Sequence, residues 1–478
     1  MFLAASICCI GCQKNLRTKP NIVFILIDDL GWADLPVYGN QFNESPYIDK
    51  LAAEGMRFTN AYAACPVCSP TRASIQSGQY PARVGITDFI TGHWRPYEEV
   101  IVPSNKAQYL PLENVTVAER LQEAGYATGY FGKWHLGWGD KIPTNQGYDE
   151  QVVYNGGGFF DYSNRMDPPQ SFPEEKVLSE ALTDVSIRFI EKNRDQAFCL
   201  FLSHYDVHVQ LDAQQELIDK YLDKDKVDGY SCNAVYAAMI ENVDRSVGRI
   251  VSKLDQLGVS ENTMIIFYSD NGGLISRFDK KPLHAQSKQT IYEGDSMQYI
   301  ASSNAPLRGE KGTLYEGGIR EPLIIKWPGV VSPGTTNASL VTSVDFYPTF
   351  LEIAGLRVED NLSLDGASLV DIIANNHTDY TRSIYWHYPV YHHAQPAAAI
   401  RNGDYKLIEN LVDRSLELYN LKADISESHN LASEMADKAN ALHQDLRSWQ
   451  NEVQAKFPVP NPEFDPARRF EWGRHPDR

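Results

Sequence analysis

The chain's most constraining feature is a repeated pairing of an unbroken apolar run with polar chemistry at its carboxyl end. Asn21-Ile22-Val23-Phe24-Ile25-Leu26-Ile27 is rich in β-branched residues, does not alternate with polar ones, and ends at Asp28-Asp29. Such a run reads as a strand covered on both faces, since a half-exposed strand would alternate. The pattern recurs. Tyr126 to Phe131 ends at Gly132-Lys133-Trp134-His135, Phe198 to Leu202 runs on to His204 and His208, and Met264 to Tyr268 ends at Ser269-Asp270-Asn271-Gly272-Gly273. In open α/β sheets ligands bind just beyond the carboxyl ends of the strands. A single ending of this kind is ordinary turn or cap chemistry, but four in one chain predict a polar site along one sheet edge.

Helix signals fall between these runs. Ser45 as cap, Pro46 in the first turn and Gly55 as stop bracket one short helix, and Thr116 with Glu119 forms a capping box for another that closes at Gly125. Amphipathic segments from about 179 to 192 and from about 234 to 257 precede two of the strands, and Pro322 to Trp327 is a further strand. Strands alternating with helices predict an α/β fold with a large, mostly parallel sheet sandwiched by helices. After about residue 375 the texture changes. Ile384 to Tyr388, Ala398 to Arg401, Tyr405 to Ile408 and Glu417 to Leu421 are short runs separated by turns, and a helical segment follows from about 433 to 449. These predict a smaller C-terminal antiparallel sheet plus helix, with an extended stretch from Phe457 on. The expected division is an export segment over 1–19, a catalytic α/β domain over 20–375 and an α+β subdomain with a tail over 376–478.

With 478 residues and 43% hydrophobic content the chain can bury a large core. Its net charge of −18 argues against nucleic-acid binding, which normally uses a basic face. It does not exclude an anionic substrate, because repulsion between exposed charges is screened within roughly 8 Å at physiological salt. Met1 to Gln13 is apolar but too short to span a bilayer, and no other segment is apolar enough for a transmembrane helix. Ile10-Gly11-Cys12 resembles the end of a bacterial lipoprotein cleavage box, with Cys9 where that box usually has leucine. The expectation is export to the periplasm or cell surface, with Cys12 as a candidate lipid anchor. The seven cysteines suggest neither a disulfide framework nor a zinc-finger spacing. Cys65 reads better as a buried neighbour of Cys68 than as its redox partner.

Cys68-Ser69-Pro70-Thr71-Arg72 leads into a helix that Gly78 is suited to end. Cys68 then sits at a helix N-terminus, where backbone N–H groups favour negative charge, and Arg72 lies one turn on along the same side. Asp28, Asp29, Asp270 and Asn271 are oxygen ligands that suit a hard cation such as Ca²⁺ or Mg²⁺. A thiolate is soft and binds such an ion poorly. Oxidation of Cys68 to an aldehyde removes the mismatch, because the hydrated aldehyde offers two hydroxyls.

These segments resemble the formylglycine-dependent (type I) sulfatases of the alkaline phosphatase superfamily. The resemblance covers nearly the whole chain, including Ser45-Pro46-Tyr47-Ile48-Asp49-Lys50-Leu51-Ala52, Arg308-Gly309-Glu310-Lys311-Gly312-Thr313 and Tyr315-Glu316-Gly317-Gly318-Ile319-Arg320-Glu321-Pro322. It implies an alkaline phosphatase-like fold and hydrolysis of sulfate esters, above all in a sulfated polysaccharide or oligosaccharide. It also implies 3-oxoalanine (formylglycine) at Cys68, installed by a formylglycine-generating or sulfatase-maturating enzyme. Residue by residue, the family pattern makes Asp28, Asp29, Asp270, Asn271 and converted Cys68 the Ca²⁺ ligands. Arg72 and Lys133 would hold formylglycine and sulfate oxygens, and Lys311 would clamp the sulfate. His208 would protonate the leaving alcohol, and His135 would take a proton from the second hydroxyl.

One departure concerns the acid histidine. The family often has Pro-His-Thr-Pro there, whereas this chain has Asp206-Val207-His208-Val209-Gln210, and His204 is a rival for the role. His204, Arg308 and His387 are further candidates for substrate contact. His387, His392 and His393 either line the substrate mouth or belong to a surface loop. Two other functional readings stay open. One is a phosphodiesterase or phosphonate monoester hydrolase of the same superfamily. The other is a non-catalytic binder of sulfated glycans, against which the intact catalytic set counts.

Overall fold

The computed structural model describes residues 19–92, 94–154, 156–358, 362–377 and 382–473. Cys12, and all but the last residue of the expected export segment, lie outside them. The main sheet has ten strands. They are β1 (Asn21–Ile27), β2 (Met56–Tyr62), β3 (Ala127–Gly132), β4 (Glu150–Tyr154), β5 (Met166–Asp167), β6 (Phe198–Ser203), β7 (Thr263–Ser269), β8 (Arg320–Lys326), β9 (Thr335–Asn337) and β10 (Val341–Thr342). Their order is β9-β2-β8-β7-β1-β6-β3-β4-β5, with β10 also pairing β2. The run β7-β1-β6-β3-β4 is parallel throughout. β8 is antiparallel to both its neighbours, and β5 is antiparallel to β4. The strands expected to end in polar chemistry, β7, β1, β6 and β3, are therefore consecutive neighbours pointing the same way in the middle of the sheet.

The helices are α1 (Pro46–Ala53), α2 (Cys68–Ser77), α3 (Val117–Glu123), α4 (Leu178–Asn193), α5 (Gln215–Leu222), α6 (Ala234–Gln256) and α7 (Phe346–Ile353). Strand side chains alternate between faces, so β1 feeds two cores. Val23, Ile25 and Ile27 pack with α1, α4, α5 and α6, whereas Ile22, Phe24 and Leu26 pack with α2, α3 and α7. The mostly parallel sheet is thus covered by helices on both sides, which is why β1 can be apolar throughout. The Thr116–Glu119 capping box forms, with Glu119 N donating to Thr116 Oγ1 at 3.3 Å and Thr116 N to Glu119 Oε2 at 2.6 Å. Ser45 does not cap α1. Asp244 of α6 accepts from the first-turn amides of Tyr47 and Ile48 at 2.9 and 2.8 Å instead.

A second, antiparallel sheet has the order β11 (Ser383–Tyr388), β12 (Ala397–Asn402), β13 (Tyr405–Asn410) and β14 (Leu416–Asn420). Helix α8 (Ala436–Glu452) packs on one face, and the other face rests on the main body through Trp386, Tyr62, Ile319 and their neighbours. The tail is not simply extended: Val459–Pro460 pairs with Val100–Ile101, and turns follow.

Charge as well as apolar packing ties the two sheets together. The Lys406 ammonium of β13 is completely buried, 2.9 Å from both Glu316 of the main body and Glu427. Arg320 closes the network on Glu316 at 2.6 Å. Burial pushes the Glu427 carboxyl up to about 7, against the pull of Lys406. Breaking a buried ion pair by deleting one partner is far more costly than never having built it. Lys406→Met should lower the unfolding free energy by about 3–5 kcal/mol, measurable by urea denaturation. A change below about 1 kcal/mol would mean that the network contributes no net stability.

Candidate active site

The site begins with α2. Every residue of this helix is buried although most are polar, which is possible because each buried polar group needs only a partner. Thr71 Oγ1 donates to the Cys65 carbonyl at 2.9 Å, Ser77 Oγ to the Ala73 carbonyl at 2.8 Å, and Tyr148 Oη to Gln76 Oε1 at 2.8 Å. Cys68 is the first residue of the helix, and Gly78 closes it in the left-handed conformation. The thiol thus sits at the positive end of a helix and against the carboxyl ends of four parallel strands.

Two of those strand ends carry backbone strain. Asp29 and His135 adopt φ of 63° and 55°, a region that costs a non-glycine residue on the order of 1–3 kcal/mol. Glycine is required just before Lys133. Gly132 has φ 114°, and a Cβ there would lie 1.8 Å from the Ser203 carbonyl oxygen.

His135 presents Nδ1 to Cys68 Sγ at 3.2 Å, while its Nε2 meets the Ile90 carbonyl. A carbonyl only accepts, so Nε2 carries the proton and Nδ1 is a free lone pair aimed at position 68. Ile90 is held in turn by Ser69, whose Oγ accepts from the Ile90 amide at 3.0 Å. Burial, then the adjacent Lys133, pushes the imidazole down to about 3, so His135 is neutral and basic in form. His208 shows the same logic. Its Nδ1 donates to the Val209 carbonyl at 2.5 Å, which leaves Nε2 facing Asp29 Oδ2 at 3.6 Å. Burial, then Lys311, lowers it to about 4.

The carboxylates are each matched by a cation. Lys133 Nζ bonds Asp28, Lys311 Nζ lies 2.8 Å from Asp29, and Arg72 reaches Asp270 at 2.8 Å through Nε. Burial pushes the Asp28 carboxyl up, but Lys133, His208, Arg72 and Lys311 outweigh it and hold the group far below the usual range. Burial raises Asp270, against the pull of Arg72 and with the help of the neighbouring Asp28. Arg72 also donates to the Lys133 carbonyl at 2.7 Å. It lies beneath the cavity rather than in its wall and orients what surrounds it.

The donor set fits a metal ion. Asp28 Oδ1 and Asn271 Oδ1 are buried oxygens without a hydrogen-bond partner, and unsatisfied buried oxygens are what a hard cation needs. Asp28, Cys68 and Asp270 bring ligand atoms within 4.8 Å of one another, and Asp28, Asp29 and His208 form a second such group. Above them opens a cavity of about 410 Å³ lined by Cys68, Lys133, His135, His208 and Lys311 together with Tyr205, Arg277, Phe278, His392 and His393.

The expected catalytic and metal-binding residues thus come together, but the three expected substrate contacts do not. His204 still follows strand geometry, its amide donating to the Leu26 carbonyl at 2.8 Å. The alternation that turns Ser203 toward Arg72 turns His204 the other way, to Ser246 of α6 at 3.0 Å. His204 is therefore no rival to His208. His387 fails for the same reason. Trp386 faces the main body, so His387 faces α8, where it meets Gln450 at 3.2 Å and the Lys456 carbonyl at 2.8 Å. Arg308 lies 3.8 Å over the Tyr315 ring and donates to the Tyr419 hydroxyl and Glu427 carbonyl, both at 2.9 Å. It clasps the second sheet and stays outside the cavity. Of the three histidines at 387, 392 and 393, the latter two reach the cavity wall. Gly312 makes room for them, since a Cβ there would lie 1.9 Å from His392 Nδ1.

A sequence profile described as Sulfatase matches residues 20–356, and one described as N-sulphoglucosamine sulphohydrolase, C-terminal, matches residues 309–455. A sulfatase of Formosa agariphila is 31% identical, covering 91% of this chain and 90% of its own. Arylsulfatase A of Homo sapiens is 30% identical, covering 81% of this chain and 74% of its own. Among solved structures, Ps i-CgsB in complex with k-i-k-neocarrahexaose aligns with a TM-score of 0.72 at 28% identity, covering 94% of this chain and 95% of that one.

Proposed function

The chain belongs to the sulfatase family of the alkaline phosphatase superfamily and hydrolyses sulfate esters, and on that footing we propose that it desulfates a saccharide through a calcium-assisted site built on formylglycine at position 68. The observation that carries this reading is the convergence of Asp28, Asp29, Asp270 and Asn271 with His135, His208 and Lys311 around Cys68. Asp28, Asp29, Asp270 and Asn271 would hold Ca²⁺, which when bound draws charge from the sulfate oxygens. Formylglycine, made from Cys68 by a formylglycine-generating or sulfatase-maturating enzyme, supplies as its hydrate a nucleophilic hydroxyl and a second hydroxyl for product release.

The chain's own side chains do the rest. Lys311 and Lys133 carry point charges that suit a tetrahedral oxyanion. Arg72 holds Asp270 and the Lys133 backbone in place. His135 Nδ1 accepts a proton from position 68. His208 donates from Nε2 to the leaving oxygen, and the negative charge of a docked sulfate ester raises its proton affinity for that task. The saccharide substrate is supported by the neocarrahexaose held by the 28%-identical neighbour. Placement in the periplasm or on the cell surface, with Cys12 as a lipid anchor, rests on the apolar amino-terminal stretch.

His208 provides the test. A sugar alkoxide is a poor leaving group and needs the proton, whereas a nitrophenolate does not. His208→Ala should lower kcat/KM about 10²–10⁴-fold on a sulfated sugar and far less on 4-nitrophenyl sulfate. Equal losses on both substrates would remove His208 from the acid role. Faster turnover of an aryl phosphate diester than of either sulfate would favour the phosphodiesterase reading.

A further inference from the structure

Beside the catalytic cavity lies a second one of about 680 Å³, and the two share Phe278, His392 and His393 as a common wall. The far side of the second cavity is built by the carboxyl-terminal segment. Trp472 packs against Phe278 with ring centroids 4.3 Å apart, and the Arg95 guanidinium sits 4.4 Å over the Trp472 ring. Phe470 stands next to them, 69% exposed.

This placement is well anchored. The Asn461 amide group donates to the Pro96 and Glu98 carbonyls at 2.8 and 2.7 Å, Arg469 reaches Glu98 and Glu99 at 3.0 and 3.3 Å, and the Gly473 amide donates to the Trp94 carbonyl at 2.9 Å. A tail that adds little to either core is thus tied down along residues 94–101, with two aromatic rings held in the wall of the cavity that adjoins the catalytic one. On the rim stands Lys280. It is exposed, and its ammonium has no ion-pair or hydrogen-bond partner among the described residues. In a chain of net charge −18, an unpaired cation beside aromatic faces favours an anion with an apolar face.

We propose that this second cavity is a sugar subsite. The sugar adjoining the sulfated one lays its C–H face against the exposed Phe470 ring and the edge of Trp472 that lines the cavity, the Trp472 faces being taken by Phe278 and Arg95, and Lys280 faces a carboxylate or second sulfate on it. The inference rests on the saccharide reading above and deepens it: the working substrate is at least a disaccharide, and the tail sets which neighbour is accepted.

The test compares kcat/KM on 4-nitrophenyl sulfate, on sulfated monosaccharides, and on disaccharides that join the same sulfated unit to a neutral or an anionic neighbour. The sugars are drawn from carrageenan, ulvan and glycosaminoglycans. The full-length enzyme should gain about tenfold or more from the second sugar, the size of a good aromatic contact. Trp472→Ala should erase that gain and leave 4-nitrophenyl sulfate turnover unchanged. Phe470→Ala, a surface change that leaves packing intact, should erase part of it, and Lys280→Gln should remove only the preference for an anionic neighbour. Equal losses in Trp472→Ala on all substrates, or no wild-type gain from a second sugar, would overturn the subsite while the saccharide reading stands. Turnover of 4-nitrophenyl sulfate with no turnover of any saccharide would overturn both.

Discussion

Cys68→Ala should lower sulfate ester hydrolysis by about 10⁴-fold or more, the scale on which a nucleophile's removal is felt, while the protein stays folded. The side chain is small and its one hydrogen-bond partner among the described residues is His135 Nδ1 at 3.2 Å, so little packing is lost. In active wild-type protein, peptide mass spectrometry should find the aldehyde or its hydrate at position 68. The reason is the mismatch between a soft thiol and a surrounding set of hard oxygen donors. Carboxylate oxygens of Asp28 and Asp270 lie within 4.8 Å of that sulfur, and the neutral Nδ1 of His135 is better placed to take a proton from a hydroxyl than to stabilise a thiolate. Fully active enzyme carrying only unmodified cysteine would overturn the formylglycine reading. A non-catalytic glycan binder would behave differently again, binding sulfated glycans equally well with and without Cys68.

The parallel core of the fold was legible because burial on both faces leaves a compositional mark. β1, β6 and β7 are apolar along their middles without alternation, β3 is nearly as buried although it carries Thr128, and each terminates in polar residues. The side of the sheet beyond β8 left a weaker mark. β2, Met56–Tyr62, mixes buried and half-buried positions and carries a register shift between Phe58 and Ala61, so its pattern follows neither period. The run 322–327 does read as a strand, but composition carries no direction, and only the structure shows β8 antiparallel between β2 and β7.

The same limit explains the site. Residues just beyond a strand end, such as Asp28, Lys133 and Asp270, could be placed because the strand itself points them at the edge. His204 and His387 could not be placed, because each sits in continued strand geometry, where a shift of one residue reverses the face. His392 and His393 reach the cavity from a turn whose path depends on Gly312, and the aromatic wall from Trp472 depends on a tail with no periodicity at all. The chemistry of the sulfate end is thus written into local sequence, whereas the sugar end is assembled by loops.

The largest remaining effect should come from the metal. Treatment with a chelator should abolish activity, Ca²⁺ should restore it, and elemental analysis should find calcium in the native protein. Asp28, Asp29 and Asp270 stand close together, and buried oxygens of Asp28 and Asn271 accept no hydrogen bond, an arrangement that a hard divalent ion completes. Metal assistance is worth several kcal/mol at the transition state, so Asp270→Ala should lose activity by roughly 10³-fold or more. Alanine alone is ambiguous, because it also strips Arg72 of its partner at 2.8 Å and leaves a buried cation unpaired. Asp270→Asn resolves this. It keeps the shape and an acceptor for Arg72 but removes the charge that binds the ion. Ca²⁺ at 100 times its Kd should stabilise the wild-type protein by about 2.7 kcal/mol, read as a rise in melting temperature that saturates with concentration. Asp270→Asn should show neither that rise at the same concentrations nor the activity. Stoichiometric zinc with no calcium would overturn the hard-cation reading, and a melting temperature in the wild type indifferent to Ca²⁺ would mean that these oxygens serve Lys133, Lys311 and Arg72 rather than calcium.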